Sequence, residues 1–146
     1  MSTNENKTLV ARFIEQAFNQ GNLAAIDALV APDFVNHAAG LQDAHGPEGM
    51  KDFVTTYRTA FPDYACTIEA QIAEGDLVVT RWTVRGTHQG ALMGLAPTDQ
   101  RVTLPGIVID RIANGRLVET WLEADVLGLL QQLGAAPHAA AEPVAP

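Results

Sequence analysis

The fold is decided by the stretch Asp110-Arg111-Ile112-Ala113-Asn114-Gly115-Arg116, which reads as the end of one strand, a tight turn and the start of the next strand. Both central residues of a type I′ turn need positive φ, and Asn-Gly between two alternating runs is the strongest short-range signal for such a hairpin. The stretch therefore predicts a hairpin that joins a strand over Arg101–Ile112 to a strand over Arg116–Glu123.

Further strands precede this hairpin, and a helix follows it. Residues alternate over Tyr64–Ala73 and Leu77–Arg85, which predicts an antiparallel pair around the turn Glu74-Gly75-Asp76. Gly86–Pro97 is a loop long enough to form the mouth of a cavity, and Asp125–Leu133 has the apolar spacing of a closing helix. The second half of the chain is thus mainly an antiparallel sheet.

Helical spacing dominates the first half of the chain. The pattern predicts a first helix over Asn4–Asn19 and a short second helix over Leu23–Val30, which Ala31-Pro32-Asp33 ends. After an extended Phe34–His37 and a loop, Pro47 begins a third helix. We therefore predict an α+β cone, in which N-terminal helices pack on a strongly curved, mainly antiparallel sheet that encloses a small-molecule pocket.

Composition narrows the class of protein. The chain has 146 residues, of which 47% are hydrophobic, and this predicts one domain over residues 1–134 with a disordered Ala/Pro-rich tail over 135–146. The net charge of -8 argues against nucleic-acid and membrane-surface partners. No apolar run approaches the roughly 20 residues of a membrane span, and Met1–Lys7 lacks the apolar core of a signal peptide. We expect a cytoplasmic protein.

Several types of chemistry find no support in the sequence. Cys66 is the only cysteine, so an inert buried thiol is a better expectation than a nucleophile, and no internal disulfide can form. The four histidines lack metal-ligand spacing, and we expect neither a metal nor a cofactor. The chain also has no Gly-rich phosphate loop and no GxSxG motif.

Three residues are candidates for proton chemistry. Asp110 interrupts the apolar run Ile107-Val108-Ile109, and a buried carboxylate must be paired with a cation or take up a proton. Pairing with an arginine is the structural alternative. His37 and His88 could act as general bases at a pocket rim, or simply bond to nearby groups in loops.

The last strand presents two faces with different consequences. Glu119 and Glu123 flank Trp121 with strand spacing and share one face. If that face lines the pocket, the two carboxylates and the indole resemble an acid/base site with a stacking wall. If it is the convex face, the same residues contact solvent or a second subunit. Trp82 is similarly open to a core role or a ligand-binding role.

These residues also carry a family resemblance, which spans nearly all of residues 5 to 134. The motifs are similar to those of the SnoaL-like polyketide cyclases, also called ester cyclases, of the NTF2-like superfamily. They are Phe18-Asn19-Gln20-Gly21, Ala31-Pro32-Asp33-Phe34-Val35-Asn36-His37, Gly46-Pro47-Glu48-Gly49, Ala60-Phe61-Pro62-Asp63, Gly86-Thr87-His88-Gln89-Gly90, Gly94-Leu95-Ala96-Pro97-Thr98, and Asn114-Gly115-Arg116 through Trp121 to Gln131-Gln132-Leu133-Gly134.

The resemblance implies an apolar pocket, a homodimer, and an intramolecular aldol ring closure that needs no metal or cofactor. It places Asn36 where the cyclases have a pocket asparagine. Leu122 and Val108 stand where the cyclases have an acid/base aspartate and a supporting histidine, so another residue must move the proton if the chain is an aldol cyclase. We expect Asp110, His88 and His37 to be the catalytic candidates. The substrate-binding candidates are Asn36, Trp82, Trp121, Phe18, Phe53, Tyr57 and Leu122.

Two functions remain open at this point. The first is cofactor-independent proton transfer or aldol-type cyclisation on a hydrophobic, carbonyl-containing metabolite. The second is a non-catalytic protein that binds a small molecule or serves as a dimerising scaffold. The most useful observation would be whether Asp110, His37 and His88 converge on one cavity.

Overall fold

The computed structural model describes residues 1–39 and 41–136. Helix α1 covers Thr3–Phe13 and continues directly into a π-helical segment, Ile14–Asn19. The remaining elements, in chain order, are α2 Leu23–Leu29, β1 Val30–Ala38, β2 Ala44–His45, α3 Gly46–Ala60, β3 Ala65–Glu74, β4 Leu77–Thr87, β5 Arg101–Ala113, β6 Arg116–Ala124 and α4 Val126–Gln132.

The strands form one mixed sheet in the order β2-β1-β6-β5-β4-β3. All neighbours are antiparallel except β1 and β6, which run parallel. The register shifts between Val30 and Val35, between Ile68 and Ala70, and between Arg111 and Ile112. Such irregularities bend and twist strands, which helps the sheet to curve around the helices. The predicted α+β architecture is confirmed.

The hairpin that decides the fold forms as predicted. Asn114 and Gly115 have φ values of 53° and 74°, and the flanking residues Ala113 and Arg116 are paired across the turn. Because an L-residue other than Asn or Asp is strained at positive φ, this dipeptide fixes the register of β5 against β6.

The helices pack against the concave side of the sheet. A capping box between Ser2 and Glu5 starts α1, whose buried face joins a core with residues of β4, β5 and β6. The core residues from these strands include Val78, Ile112 and Leu117. The three N-terminal helices therefore cover one end of the cone. A space remains between the sheet and the parts of the helices that do not touch it.

Two predicted boundaries are wrong. Val30 was expected to end the second helix, but it is the first residue of β1 and pairs with Leu117. The loop after His37 is shorter than expected, since β1 runs to Ala38 and Ala44–His45 pairs with it. Local propensity cannot anticipate the pairing of Val30, because its partner Leu117 lies more than eighty residues away. The predicted tail falls, from residue 137 onwards, outside the described residues. No helix within the described part of the chain is long and apolar enough to cross a membrane.

Candidate active site

An apolar cavity lies between the concave face of the sheet and the helices. The space between its walls is about 910 Å³ when the open mouth is included, and the centre of a water molecule can occupy about 100 Å³ of it. Helix α1, the π-helical segment, α3 and five of the six strands contribute to its lining. A cavity with largely apolar walls and a few polar groups is typical of a small-molecule site.

Strand alternation decides which residues face the cavity. On β5 the lining residues are Leu104, Val108 and Asp110, and on β6 they are Thr120, Leu122 and Ala124. Their neighbours Ile109 and Trp121 point to the outer face, because successive side chains of a strand alternate between faces. Val108 is the Cα partner of Leu122, so the two positions at which the resemblance implies acid/base residues form one apolar patch here.

A row of three polar side chains crosses the sheet at the closed end of the cavity. Asp110 is the Cα partner of Thr120, and Thr120 is the partner of Asn36 on β1. All three line the cavity, and each is only 3–4% exposed. We call these three residues the polar row. Further along β5 and β1, the same face of the sheet carries Ile112 and Phe34, which belong to the core.

Asp110 is an unpaired buried carboxyl group. Burial raises its pKa from 3.8 to about 7. Among residues 1–39 and 41–136, its side chain forms no hydrogen bond and no ion pair. Arg81 and Arg85 are exposed, and Arg111 pairs with Glu119 at 3.3 Å, so the arginine partner considered from the sequence is absent from the described residues. A carboxyl that titrates near neutral pH can both accept and return a proton.

Asn36 supplies a hydrogen-bond donor to the same end of the cavity. Its Oδ1 accepts a 2.7 Å hydrogen bond from the Thr120 hydroxyl group. The carbonyl of the amide is therefore occupied by Thr120, and the Nδ2 group remains available as a donor. The site thus combines a titratable carboxyl with a fixed amide N–H, which can stabilise a developing oxyanion.

Aromatic side chains build the helical wall opposite the sheet. Phe18, Phe53 and Tyr57 line the cavity. The Phe18 ring contacts Phe53 edge to face at 6.2 Å and stacks on Tyr64 at 5.9 Å. The π-helical segment positions Phe18, and its last residue, Asn19, bonds both the N–H and the C=O of Cys66 on β3. These two bonds anchor the segment to the sheet.

The phenol and thiol groups that line the cavity stay protonated at neutral pH. Burial raises the pKa of Tyr57, and it raises the pKa of Tyr64 well above its usual range. Burial likewise raises the pKa of the Cys66 thiol to about 12. Since the thiolate is the nucleophilic form, Cys66 is an inert thiol, as expected from the sequence. The two phenols can donate hydrogen bonds but cannot act as bases.

Trp82 also lines the cavity, and its position depends on a glycine. Trp82 on β4 is the Cα partner of Gly106 on β5. A Cβ at position 106 would overlap the six-membered ring of the indole. Gly106 therefore lets the ring lie against the backbone of β5, which leaves room in the cavity.

Two of the predicted site residues lie on the outer face instead. His37 bonds Asp43 at 3.1 Å and Glu119 at 2.8 Å, and its ring stacks on Trp121. The hydrogen bond to Glu119 raises the pKa of His37, with a smaller contribution from Asp43. Neither His37 nor Trp121 lines the cavity. His37 directly follows Asn36, and Trp121 directly precedes Leu122. Because successive side chains of a strand alternate between faces, and Asn36 and Leu122 line the cavity, His37 and Trp121 face away from it. Glu119 also lies on the convex face and not on the face that lines the pocket.

His88 is buried but does not line the cavity. Its Nδ1 accepts a hydrogen bond from the Thr98 backbone N–H at 3.2 Å and lies 3.0 Å from the Thr98 hydroxyl. Its ring packs against Phe61. No described residue bonds Nε2. The three catalytic candidates thus do not converge, since the structure brings only Asp110 to the cavity.

The sequence interpretation missed two polar residues of the site. Thr120 shares a face with Leu122, so strand spacing alone could have placed it in the cavity once Leu122 was assigned there. Tyr64 begins a predicted strand and carried no comparable signal, because its contact with Phe18 comes from distant chain segments. Within the described residues no group of three or more His, Cys, Asp or Glu side chains could hold a metal ion.

Comparisons with known proteins agree on one family. The family model described as SnoaL-like polyketide cyclase matches residues 8–133. Nogalonic acid methyl ester cyclase of Streptomyces nogalater is 32% identical over 120 residues, which are 81% of this chain and 90% of that protein. Aklanonic acid methyl ester cyclase DnrD of Streptomyces peucetius is 30% identical over 129 residues, which are 86% of this chain and 88% of that protein.

A solved structure supports the fold independently. The crystal structure of a SnoaL-like protein from Jannaschia sp. CCS1 superposes with a TM-score of 0.85. The match covers 92% of this chain and 95% of that chain. The two sequences are 23% identical, so this similarity concerns the fold alone.

Proposed function

Because the chain belongs to the SnoaL-like polyketide cyclase family, we propose that its pocket carries out cofactor-independent proton transfer and aldol-type ring closure on a hydrophobic, carbonyl-containing metabolite. One observation supports this proposal above the others. Asp110 is an unpaired carboxyl group with a pKa of about 7, at the closed end of an otherwise mainly apolar cavity. A group with these properties is suited to general acid/base catalysis at neutral pH.

The proposed reaction uses Asp110 twice. The carboxylate removes a proton from the carbon α to a substrate carbonyl, and the enolate oxygen receives a hydrogen bond from Nδ2 of Asn36. The enolate carbon then attacks a second carbonyl carbon of the same molecule, which forms a C–C bond and converts that C=O into an alkoxide. Asp110 returns its proton to the alkoxide. The product is an isomer of the substrate, so no oxidant or reductant is consumed.

This assignment accounts for the apolar residues at the family's usual acid/base positions. Val108 and Asp110 are two residues apart on β5 and both face the cavity. Relative to Leu122 on β6, Asp110 is a diagonal cross-strand neighbour, with Cα atoms roughly 7–8 Å apart. We propose that the proton-transfer group of this chain has moved along the sheet from the Leu122 position to Asp110, deeper in the pocket.

The test uses the two esters named in the relatives, nogalonic acid methyl ester and aklanonic acid methyl ester. The purified protein should convert at least one of them to an isomer of equal mass and different retention time. Asp110→Asn should lower turnover by on the order of a hundredfold or more. His37→Asn, which changes a titratable side chain outside the cavity, is the matched control and should retain the parent rate. Equal rates for Asp110→Asn and the parent would refute the role of Asp110.

A non-catalytic binding role is the second candidate. The apolar pair Val108 and Leu122 supports it, because neither residue can move a proton. In that case the protein would bind the esters, as measured by quenching of Trp82 fluorescence, and would convert neither. Asp110→Asn would then bind the same esters with unchanged or higher affinity, since removal of a buried ionisable group lowers the cost of filling the cavity.

We further propose that the protein is a cytoplasmic homodimer that pairs through the outer face of the sheet. A row of outer residues crosses four strands in register, from Ile72 through Val79 and Ile109 to Trp121. Ile72 is 70% exposed, the adjacent Ile107 is 46% exposed and Trp121 is 38% exposed. A contiguous apolar patch of this kind on a sheet face is typical of an interface.

Light scattering tests the dimer. At micromolar concentration the parent protein should have twice the 15.6 kDa chain mass. Ile107→Glu should shift the mass towards the monomer, because two copies of the new carboxylate would be buried in the proposed interface. The control variant Asp52→Asn, at an exposed position of α3, should leave the mass unchanged. A parent protein that is monomeric over this range would contradict the proposal.

A further inference from the structure

The proposed reaction gives a role to two residues of the polar row, Asp110 and Asn36, but none to the third, Thr120. It lies between Asp110 on one neighbouring strand and Asn36 on the other, in register with both. Its side chain is 3% exposed and lines the cavity. A buried hydroxyl in an apolar cavity carries a desolvation cost unless it is hydrogen-bonded, so its partner matters.

The partner of Thr120 is the amide oxygen of Asn36, at 2.7 Å. The terminal torsion of an asparagine is broad and roughly two-fold, so an unbonded carboxamide can present either its oxygen or its nitrogen to the cavity. A threonine hydroxyl has a single proton to donate, and its χ1 is restricted by β-branching. In the structure this proton is donated to Oδ1 of Asn36, which places the amide oxygen towards β6 and leaves Nδ2 free.

The orientation of this amide has a direct chemical consequence. Nδ2 facing the reacting carbonyl stabilises negative charge on the enolate oxygen, whereas Oδ1 in the same place would repel it. One hydrogen bond thus determines whether Asn36 assists or opposes the reaction.

We infer that Thr120 is a positioning residue, which acts on the reaction by orienting the Asn36 carboxamide and does not itself contact the reacting atoms. The inference rests on the proposed function, since it concerns the donor used there. It assigns a role to a residue whose hydroxyl would otherwise serve only as a buried polar group of the core.

Two substitutions separate the hydroxyl from the shape of the side chain. Thr120→Val keeps the branched shape and removes the donor, while Thr120→Ser keeps the donor. The assay is proton exchange at the α carbons of 2-tetralone, a benzo-fused cyclic ketone, in D₂O, followed by proton NMR. We expect Thr120→Val to lower kcat roughly tenfold or more with little change in KM, because misorientation of a fixed donor costs rate rather than binding. Thr120→Ser should restore most of the loss.

A double-mutant cycle shows whether Thr120 acts through Asn36. Asn36→Ala should slow exchange by on the order of a hundredfold, the cost of losing one oxyanion donor. In that background Thr120→Val should have no further effect, because the group that it orients is gone. Independent, multiplicative losses would overturn the inference, as would a Thr120→Ser variant as slow as Thr120→Val. If Thr120→Val does not fold, Thr120→Ala takes its place in the cycle.

A second measurement does not depend on turnover. The side-chain amide protons of Asn36 should give one sharp pair of resonances in the parent and in Thr120→Ser, and broadened or shifted resonances in Thr120→Val. Identical resonances in all three proteins would overturn the inference. If the parent neither exchanges 2-tetralone nor cyclises the esters, the proposed function has failed, and these resonances still decide whether Thr120 orients Asn36.

Discussion

Replacement of Asp110 by asparagine should stabilise the protein, and only above acidic pH. Asparagine matches aspartate in shape but cannot ionise, so the variant isolates the cost of placing a charge in the cavity wall. In the folded protein burial raises the pKa of Asp110 from 3.8 to about 7. Each unit of pKa difference between the folded and unfolded states corresponds to about 1.4 kcal/mol. The difference of about 3 units therefore amounts to roughly 4 kcal/mol at full ionisation.

The parent loses stability as pH rises because the folded state binds the Asp110 proton more tightly than the unfolded state does. Below about pH 4 the carboxyl is neutral in both states and Asp110 imposes no penalty. Between pH 4 and 7 the unfolded chain ionises while the folded chain keeps its proton, so the parent loses stability as pH rises. Above pH 7 the loss is complete. Asp110→Asn cannot ionise and does not lose this stability. Its free energy of unfolding should equal that of the parent near pH 4 and exceed it by roughly 4 kcal/mol at pH 8.

Urea denaturation followed by circular dichroism at pH 4.5, 6, 7 and 8 measures this difference. At pH 8 the midpoint of thermal unfolding should also rise, by roughly 8–16 °C, given about 2–4 °C per kcal/mol for a chain of this size. The exposed Asp52→Asn variant is the control and should show no gain that grows with pH. An Asp110→Asn variant that is less stable than the parent at pH 8 would mean that the carboxylate has a stabilising partner, and would refute the desolvation argument.

Three further predictions concern activity and cofactors. Since Asp110 must be ionised to remove a proton, kcat/KM should rise about tenfold per pH unit below pH 7 and level off above it; a profile flat from pH 5 to 8 would contradict this. Gly106→Ala should displace the Trp82 indole into the cavity and weaken 2-tetralone binding in a titration of tryptophan fluorescence, whereas Gly75→Asn, at an open position whose positive φ asparagine tolerates, should leave binding unchanged. Exhaustive chelation should change neither the melting temperature nor turnover, and a loss that zinc or iron restores would show that a metal is required.

The contrast between Asp110 and His37 shows which features of the site could be predicted from the sequence. A carboxylate within Ile107-Val108-Ile109-Asp110 signals burial on its own, because the neighbouring residue types are those of a sheet interior. His37 follows Asn36 in an extended segment, and the sequence does not indicate which of the two faces inwards. The structure places Asn36 in the cavity and His37 beside Glu119 on the outer face.

The sequence by itself determined the order of helices and strands, the hairpin at Asn114-Gly115 and the family, because these depend on local conformational preference and on spacing along the chain. It could not determine which face of each strand is concave, since alternation is the same for both faces and the choice depends on where the distant helices pack. The tertiary structure alone brought Asp110, Thr120 and Asn36 into one row. The three come from separate strands, and the parallel pairing of β1 with β6 that aligns Asn36 with Thr120 joins segments more than eighty residues apart.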